Sequence, residues 1–207
     1  LGVYGLMGAG RSELFECLMG LHKEARGKVL LDGKDISTGT VDKHIRHGMA
    51  LIPEDRQREG LIQPLSVSQN MTLAAIWKFI KGFHILGSKI REAVAGMIRD
   101  LSIKVSSPNV LISSLSGGNQ QKVVIGKALL TNPKVLLMDE PTRGIDVGAK
   151  ADAFEIMSDL AGKGISILFV TSELKEIMAI SDRIIVMSKG KITGEFLRDN
   201  ATEEDLV

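Results

Sequence analysis

A glycine-rich loop near the start of the chain has the composition of a phosphate-binding site. It reads Gly5-Leu6-Met7-Gly8-Ala9-Gly10-Arg11-Ser12. Polyphosphate needs converging backbone N–H groups, and glycine permits the backbone path that brings them together. A helix that begins directly after such a loop turns the positive end of its dipole towards the anion. The predicted phosphate ligands are Gly5, Gly8, Ala9, Gly10, Arg11 and Ser12, and the Ser12 hydroxyl is also the predicted Mg²⁺ ligand.

Arginine at position 11 departs from the phosphate-loop pattern, which has a lysine that reaches the β- and γ-phosphates. Arg11 keeps the positive charge, but its planar fork is not interchangeable with the point charge of an ammonium group. Taken alone, this segment also fits a plain glycine-rich turn between a strand and a helix. The motifs further along the chain favour the phosphate-binding interpretation.

Two carboxylates follow the short apolar run Val135-Leu136-Leu137-Met138. Open α/β sheets bind their ligands at the carboxyl ends of such buried strands. We predict that Asp139 supports Mg²⁺ through the water shell of the ion, and that Glu140 is the general base that polarises an attacking water. The alternative is a pair of strand-end carboxylates that only caps the next turn.

The segment between these motifs, Leu115-Ser116-Gly117-Gly118-Asn119-Gln120-Gln121-Lys122, resembles the signature of ATP-binding cassette (ABC) transporter nucleotide-binding domains. The resemblance covers essentially the whole chain, and Asp146 is similar to the aspartate of the family's D-loop. It implies head-to-tail dimers in which one domain's phosphate loop and the other's signature enclose ATP and Mg²⁺. Glycines that open a helix fit this role, because their N–H groups can meet a phosphate arriving from outside the chain. The resemblance implies that the nucleotide of the partner domain is contacted by Ser116, Gly117, Gly118, Gln120 and Asp146.

Three further segments resemble the second cassette of tandem ATPase subunits that serve bacterial importers of ribose, galactose, xylose and related sugars. They are Pro53-Glu54-Asp55-Arg56, Asp139-Glu140-Pro141-Thr142-Arg143-Gly144 and Ser172-Glu173-Leu174. The resemblance implies an ATPase domain on the cytoplasmic face of the bacterial cell membrane. Its expected partners are a second cassette (the other half of a longer chain or a homodimer mate), an integral membrane permease and, indirectly, a periplasmic or lipoprotein sugar-binding protein. The resemblance does not identify the sugar, because the permease and the binding protein select it in this family.

Three positions depart from the family pattern, and all three belong to this chain's own phosphate site. Arg11 replaces lysine, Glu54 stands where many cassettes have the Q-loop glutamine, and Ser172 occupies the position of the switch histidine. We expect Glu54 to contact nucleotide and Mg²⁺, and Ser172 to act beside Glu140 as a catalytic residue. Two functions remain open: an ATPase that couples binding and hydrolysis to import, or a degenerate partner domain that binds ATP and leaves hydrolysis to the other cassette.

The elements that must position these residues alternate between short apolar runs and helical patterns. This alternation predicts an α/β fold, with a P-loop NTPase core, a mostly parallel sheet and flanking helices. Residues 65–113 have a helical pattern without strands and are predicted to form a helical subdomain inserted in a single domain over residues 1–207. Asp32-Gly33 and Lys189-Gly190 predict hairpin turns. Because the chain starts on a strand, we expect an N-terminally truncated domain that lacks the aromatic residue on which adenine stacks in the family.

Composition excludes several other classes of function. A net charge of +1 gives no electrostatic case for nucleic acid, which is normally bound by a clustered basic face. Cys17 is the one cysteine, so an internal disulfide is excluded and a reducing compartment fits best. His44 and His47 have helical spacing, but no neighbouring carboxylate or cysteine completes a metal-site pattern.

Overall fold

The structure is a computed structural model that describes residues 1–206. It divides into two compact units. The first comprises Leu1–Glu54, Lys134–Pro141 and the segment from Met157 onward, and the second comprises Asp55–Pro133 and Thr142–Ile156. No helix within residues 1–206 combines the length and the apolar character that crossing a bilayer requires.

The strands and helices follow one another along the chain in the predicted alternation. In chain order the strands are β1 (Gly2–Tyr4), β2 (Leu30–Leu31), β3 (Lys34–Asp35), β4 (Met49–Ile52), β5 (Ile80–Lys81), β6 (His84–Ile85), β7 (Val135–Asp139), β8 (Ser166–Thr171), β9 (Arg183–Ser188) and β10 (Lys191–Leu197). The helices are α1 (Arg11–Leu18), α2 (Val41–His47), α3 (Val67–Thr72), α4 (Gly87–Asp100), α5 (Gly117–Leu129), α6 (Val147–Gly162) and α7 (Leu174–Ile180). Shorter turns of 3₁₀ or π-helix lie at Arg56–Gly60, Leu73–Phe79, Ile112–Ser114, Arg198–Asn200 and Glu204–Leu206.

The central sheet of the first unit has the strand order β10-β9-β1-β8-β7-β4 within the described residues. The strands from β9 to β4 pair in parallel, and β10 pairs antiparallel to β9 at one edge. This topology confirms the predicted α/β fold with a mostly parallel sheet. Because the strands are parallel, the residues that follow β1, β4, β7 and β8 emerge at the same edge of the sheet.

The apolar runs form the buried strands that their composition predicts. Leu136, Leu137 and Met138 in β7 have no measurable solvent exposure, as expected for a strand that is covered on both faces. Phe15 of α1 is equally buried, and it belongs to one core cluster with Val3 of β1. The packing of α1 on the sheet therefore fixes the direction in which the loop between β1 and α1 runs.

The predicted hairpin turns are confirmed at both sites. Asp32 and Gly33 have φ values of +49° and +75°, and Lys189 and Gly190 have values of +50° and +75°. Two successive positive φ values are the mark of the type I′ turn, whose twist matches that of the flanking strands. These two turns join β2 to β3 and β9 to β10.

The prediction that residues 65–113 contain no strand is wrong, because β5 and β6 form a two-stranded hairpin there. Each strand has only two residues, which is too short to produce a visible alternation of apolar and polar side chains. Gly82, at φ +59°, lies in the turn between them. The second unit contains residues 65–113, and the extent of an inserted helical subdomain stays a prediction.

Candidate functional site

The loop between β1 and α1 lies at the carboxyl edge of the sheet, where the sequence places a phosphate site. Gly10 is the N-cap residue of α1 at φ +92°, a conformation that residues with a side chain rarely adopt. A Cβ atom added to Gly10 would lie 3.1 Å from the Cα atom of Gly190. The Ala9 carbonyl accepts a hydrogen bond from the Gly190 N–H at 2.9 Å. The loop is therefore held by the β9–β10 turn, and it carries the predicted phosphate ligands Gly5, Gly8, Ala9 and Gly10, while Arg11 and Ser12 begin α1.

Ser12 and Asp139 are brought together, as expected for two residues that support one metal ion. The Ser12 hydroxyl donates a hydrogen bond to the Asp139 carboxylate. The Asp139 Oδ1 atom is buried and finds no hydrogen-bond partner within residues 1–206. Burial raises the pKa of Asp139, and the Ser12 hydrogen bond opposes that rise. A buried carboxylate oxygen without a partner costs free energy, so this position fits a cation.

Glu140 follows directly, in a backbone conformation that is uncommon for a non-glycine residue. Its φ is +44°, and its N–H donates to the Val170 carbonyl at 3.0 Å. Positive φ at such a residue costs about 1–3 kcal/mol and is found where the surrounding structure enforces it. Ser172 donates to the Glu140 carboxylate through both its hydroxyl and its N–H. The two predicted catalytic residues, Glu140 and Ser172, are therefore in direct contact.

Arg11 forms an ion pair with Glu140 that the sequence analysis did not foresee. The Arg11 Nη1 atom lies 3.4 Å from the Glu140 Oε1 atom, and the two side chains are 9% and 10% exposed. Burial raises the pKa of Glu140, whereas Ser172 and the Arg11 charge act in the opposite direction. The guanidinium that was predicted to contact phosphate is therefore paired with the predicted general base.

Glu54 lies just beyond β4, the neighbour of β7 in the sheet. The register pairs Ile52 with Met138, so Glu54 leaves the sheet at the same edge as Glu140. Glu54 has contacts of its own within the structure. Its predicted interaction with nucleotide and Mg²⁺ stays a prediction.

The residues at the sheet edge fit Mg²⁺ rather than a metal held by protein ligands alone. Residues 1–206 contain no group of three or more His, Cys, Asp or Glu side chains that could hold a metal ion. Mg²⁺ keeps several waters and is usually held by one or two protein ligands together with substrate phosphates, so Ser12 and Asp139 suffice. His44 is buried, and its ring is hydrogen-bonded to the Leu18 carbonyl at 2.9 Å.

In the second unit, the signature segment begins α5 and lines a polar cleft of about 380 Å³. Ser116 is the N-cap residue, and its hydroxyl oxygen accepts a hydrogen bond from the Asn119 amide at 3.0 Å. The Asp146 Oδ1 atom accepts a hydrogen bond from the Ala149 N–H at 3.0 Å, which satisfies a backbone donor in the first turn of α6. The cleft is lined by Lys104, Ser116, Gly118, Asn119, Lys122, Asp146, Gly148, Ala149 and Asp152. Signature and D-loop residues therefore share one surface.

Gln120 is the one predicted signature-side residue whose side chain is buried among its own neighbours. It is buried, and its Nε2 atom donates to the carbonyls of Ile112 and Leu115, both at 3.3 Å. Its predicted contact with nucleotide stays a prediction. The two hydrogen bonds hold the backbone that leads into the signature, where the Ile112 carbonyl also accepts from the Leu115 N–H at 3.1 Å.

Sequence reasoning also missed the role of Arg56, although it singled out the motif that contains it. Its guanidinium donates to the carbonyls of Arg143 and Gly144, at 2.8 and 3.0 Å. The Pro53-to-Arg56 motif was the available signal. Nothing in its spacing identifies a partner so far along the chain.

The chain matches one family model and several known proteins. The family model for ABC transporters matches residues 1–143. The chain is 48% identical over 208 residues to the ribose import ATP-binding protein of Caldanaerobacter subterraneus. It is 47% identical over 213 residues to the xylose import ATP-binding protein of Pseudomonas fluorescens. Both alignments cover 100% of this chain but only 42% and 40% of those relatives, so the chain spans about two fifths of their length.

Solved structures have the same fold. A nucleotide-free ATP-binding cassette from an ABC transporter matches with a TM-score of 0.80 and 27% identity, covering 99% of this chain and 81% of the other. The dimeric cassette MJ0796 bound to ADP and Pi matches with a TM-score of 0.81, covering 95% of this chain and 84% of that one. Its identity of 23% limits that likeness to the fold.

Proposed function

The chain belongs to the ABC transporter family, and from this membership we propose that its site binds and hydrolyses ATP to drive the import of a sugar. The relatives at 48% and 47% identity are import ATP-binding proteins for ribose and xylose. We infer a monosaccharide as cargo, and the sugar itself is selected elsewhere, by a permease and a sugar-binding protein.

The convergence of Ser12, Asp139 and Glu140 at one sheet edge is the observation that carries this proposal. Ser12 and the partnerless oxygen of Asp139 are the groups that would hold Mg²⁺. When bound, Mg²⁺ supplies positive charge that neutralises phosphate oxygens. Glu140 accepts the proton of the attacking water, and the burial that raises its pKa makes its carboxylate a stronger base.

The signature surface in the second unit is the other half of the proposed function. The N-terminal end of α5 offers a positive dipole end to an anion. We propose that Ser116, Gly117, Gly118 and Asp146 receive the nucleotide bound by a second cassette. That cassette is the other half of a tandem subunit or a second copy of the same chain.

A degenerate partner domain remains the second candidate, and the Arg11–Glu140 ion pair is the observation that favours it. A guanidinium 3.4 Å from Glu140 stabilises the carboxylate and weakens it as a base. In that case the site binds ATP, and the other cassette performs the hydrolysis. Changing Arg11 to lysine tests this, because lysine would restore the usual phosphate ligand. Raised ATP affinity and turnover in a paired protein would show that Arg11 limits the site, and unchanged values would show that it does not.

The import function itself is tested in proteoliposomes that carry the permease in the membrane and hold the full-length subunit and ATP inside, so that the vesicle interior corresponds to the cytoplasm. The subunit is expected to sit on the cytoplasmic face of the membrane through that permease. We expect uptake of labelled ribose or xylose, delivered with the sugar-binding protein, that requires hydrolysable ATP. A non-hydrolysable ATP analogue is the matched control. Sugar uptake that proceeds equally with the analogue would contradict the proposal.

A further inference from the structure

Arg56 is the first residue of a short turn of π-helix, Arg56–Gly60, which is held by hydrogen bonds at both ends. At its start, the Asp55 carboxylate accepts hydrogen bonds from the N–H groups of Gln57 and Arg58, at 3.0 and 3.1 Å. At its end, the Gly60 carbonyl accepts a hydrogen bond from the Lys127 amine of α5. Turns of π-helix are rare in proteins, and those that occur are often found at functional sites. The turn is therefore attached to the signature helix.

The Arg56 guanidinium binds two successive carbonyls of the loop that leads to Asp146. Its Nη1 atom donates to the Arg143 carbonyl at 2.8 Å and its Nη2 atom to the Gly144 carbonyl at 3.0 Å. Gly144 is at φ +67°, so the loop turns where it is held. The fixed fork of a guanidinium can bind two acceptors at once, which a lysine ammonium does with much less geometric definition.

The same guanidinium lies against the first residue of α5. A Cβ atom added to Gly117 would be 2.7 Å from the Arg56 Nη2 atom, so a larger residue at position 117 would displace the guanidinium. One residue later, a Cβ atom added to Gly118 would lie 2.7 Å from the Ala149 Cβ atom in α6. Arg56 thus joins the start of the signature helix to the loop that precedes α6.

We propose that Arg56 is a positioning residue that holds Asp146 and the start of α5 as one rigid surface towards the cleft. Without its two hydrogen bonds, the Arg143–Gly144 backbone would move independently of Gly117. A preorganised surface stabilises a transition state more than a mobile one does. This inference rests on the proposed function, because only a nucleotide received at the cleft converts the loss of rigidity into a loss of turnover.

The test compares Arg56→Gln and Arg56→Lys with the control Arg58→Gln in the full-length protein. Arg58 belongs to the same turn but is exposed, so its loss removes a charge without removing the fork. Amide hydrogen exchange of residues 142–150 reads the rigidity of the loop, and ATP titrations separate kcat from KM. In Arg56→Gln we expect exchange in this segment to be about 10-fold faster. We expect kcat to fall by about 10- to 100-fold, the equivalent of one or two net hydrogen bonds, with KM little changed.

Arg56→Lys keeps the charge, and intermediate values in both measurements would support the proposal. Three results would overturn it: unchanged exchange in Arg56→Gln, faster exchange with an unchanged kcat, or an equal loss in Arg58→Gln. The exchange measurement needs no turnover. A wild-type protein that hydrolyses no ATP would therefore refute the proposed function, while faster exchange in Arg56→Gln would still establish that Arg56 holds the loop.

Discussion

The buried pair of Arg11 and Glu140 makes stability depend on pH in a way that one substitution can expose. In Arg11→Met, the Glu140 carboxylate stays buried without its cation. Removing one partner of a buried ion pair typically costs about 3–5 kcal/mol. For a domain of this size, each kcal/mol lowers the melting temperature by about 2–4 °C. We therefore expect the variant to melt about 6–20 °C below the wild type at neutral pH.

The sign of the pH dependence follows from the raised pKa of Glu140. The folded protein binds this proton more tightly than the unfolded chain does. The stability contributed by protonated Glu140 is therefore complete below the ordinary glutamate pKa and is lost as the pH rises through the folded-state value. Without the Arg11 charge, the pKa of Glu140 in the folded state rises further. The variant therefore loses more stability than the wild type as the pH increases. The difference in melting temperature should thus be largest at neutral pH and shrink on acidification.

Thermal unfolding followed from pH 4 to pH 8 measures this difference. Arg46→Met is the matched control, because Arg46 pairs with Asp42 at 2.9 Å in a pair that is 47% and 64% exposed, and exposed pairs contribute about 0–1 kcal/mol. The double variant Arg11→Met/Glu140→Gln should recover most of the lost stability, since it removes the buried charge. A pH-independent deficit, or a double variant no more stable than Arg11→Met, would refute the reasoning.

Three further predictions concern the phosphate site. ATP turnover should fall on acidification at a pH above the ordinary glutamate pKa, because burial raises the pKa of Glu140; a pH–rate profile measures this, and Glu140→Gln should abolish that limb. Gly10→Ala should weaken ATP binding by about 10-fold or more, because the new Cβ atom combines positive φ with the 3.1 Å approach to Gly190; equilibrium binding of a fluorescent ATP analogue measures it. Ser12→Ala should raise the Mg²⁺ concentration needed for half-maximal turnover, because Asp139 loses its hydrogen-bonded neighbour; an unchanged Mg²⁺ titration would argue against the shared site.

Much of the fold could be predicted because its signals are local. The run from Val135 to Met138 is continuous and apolar, and it forms all but the last residue of the buried β7 strand. Turn pairs such as Lys189-Gly190 specify a positive φ at both residues and so a hairpin. The β5–β6 hairpin escaped prediction because two-residue strands have no measurable period. Its apolar side chains, Ile80 and Ile85, are exposed and therefore leave no core-facing stripe in the sequence.

The closeness of the candidate site residues could be predicted from the sequence, but their pairings could not. The spacing of the motifs identified Ser12, Asp139 and Glu140, because parallel strands bring such residues to one sheet edge. It could not show that Arg11 pairs with Glu140, because that distance depends on how α1 packs on β7. Burial of Gln120 was equally hidden, since the sequence does not show which face of α5 meets the preceding backbone.

The most direct test of the account is the steady-state ATP turnover of the full-length subunit with Glu140→Gln. The equivalent substitution in the other cassette is measured beside it. Because Glu140 is proposed as the general base, we expect Glu140→Gln to reduce turnover substantially while ATP still binds. If Glu140→Gln leaves turnover intact and the equivalent change abolishes it, this site does not hydrolyse ATP, and the chain is a partner domain that lends its signature surface to the other cassette.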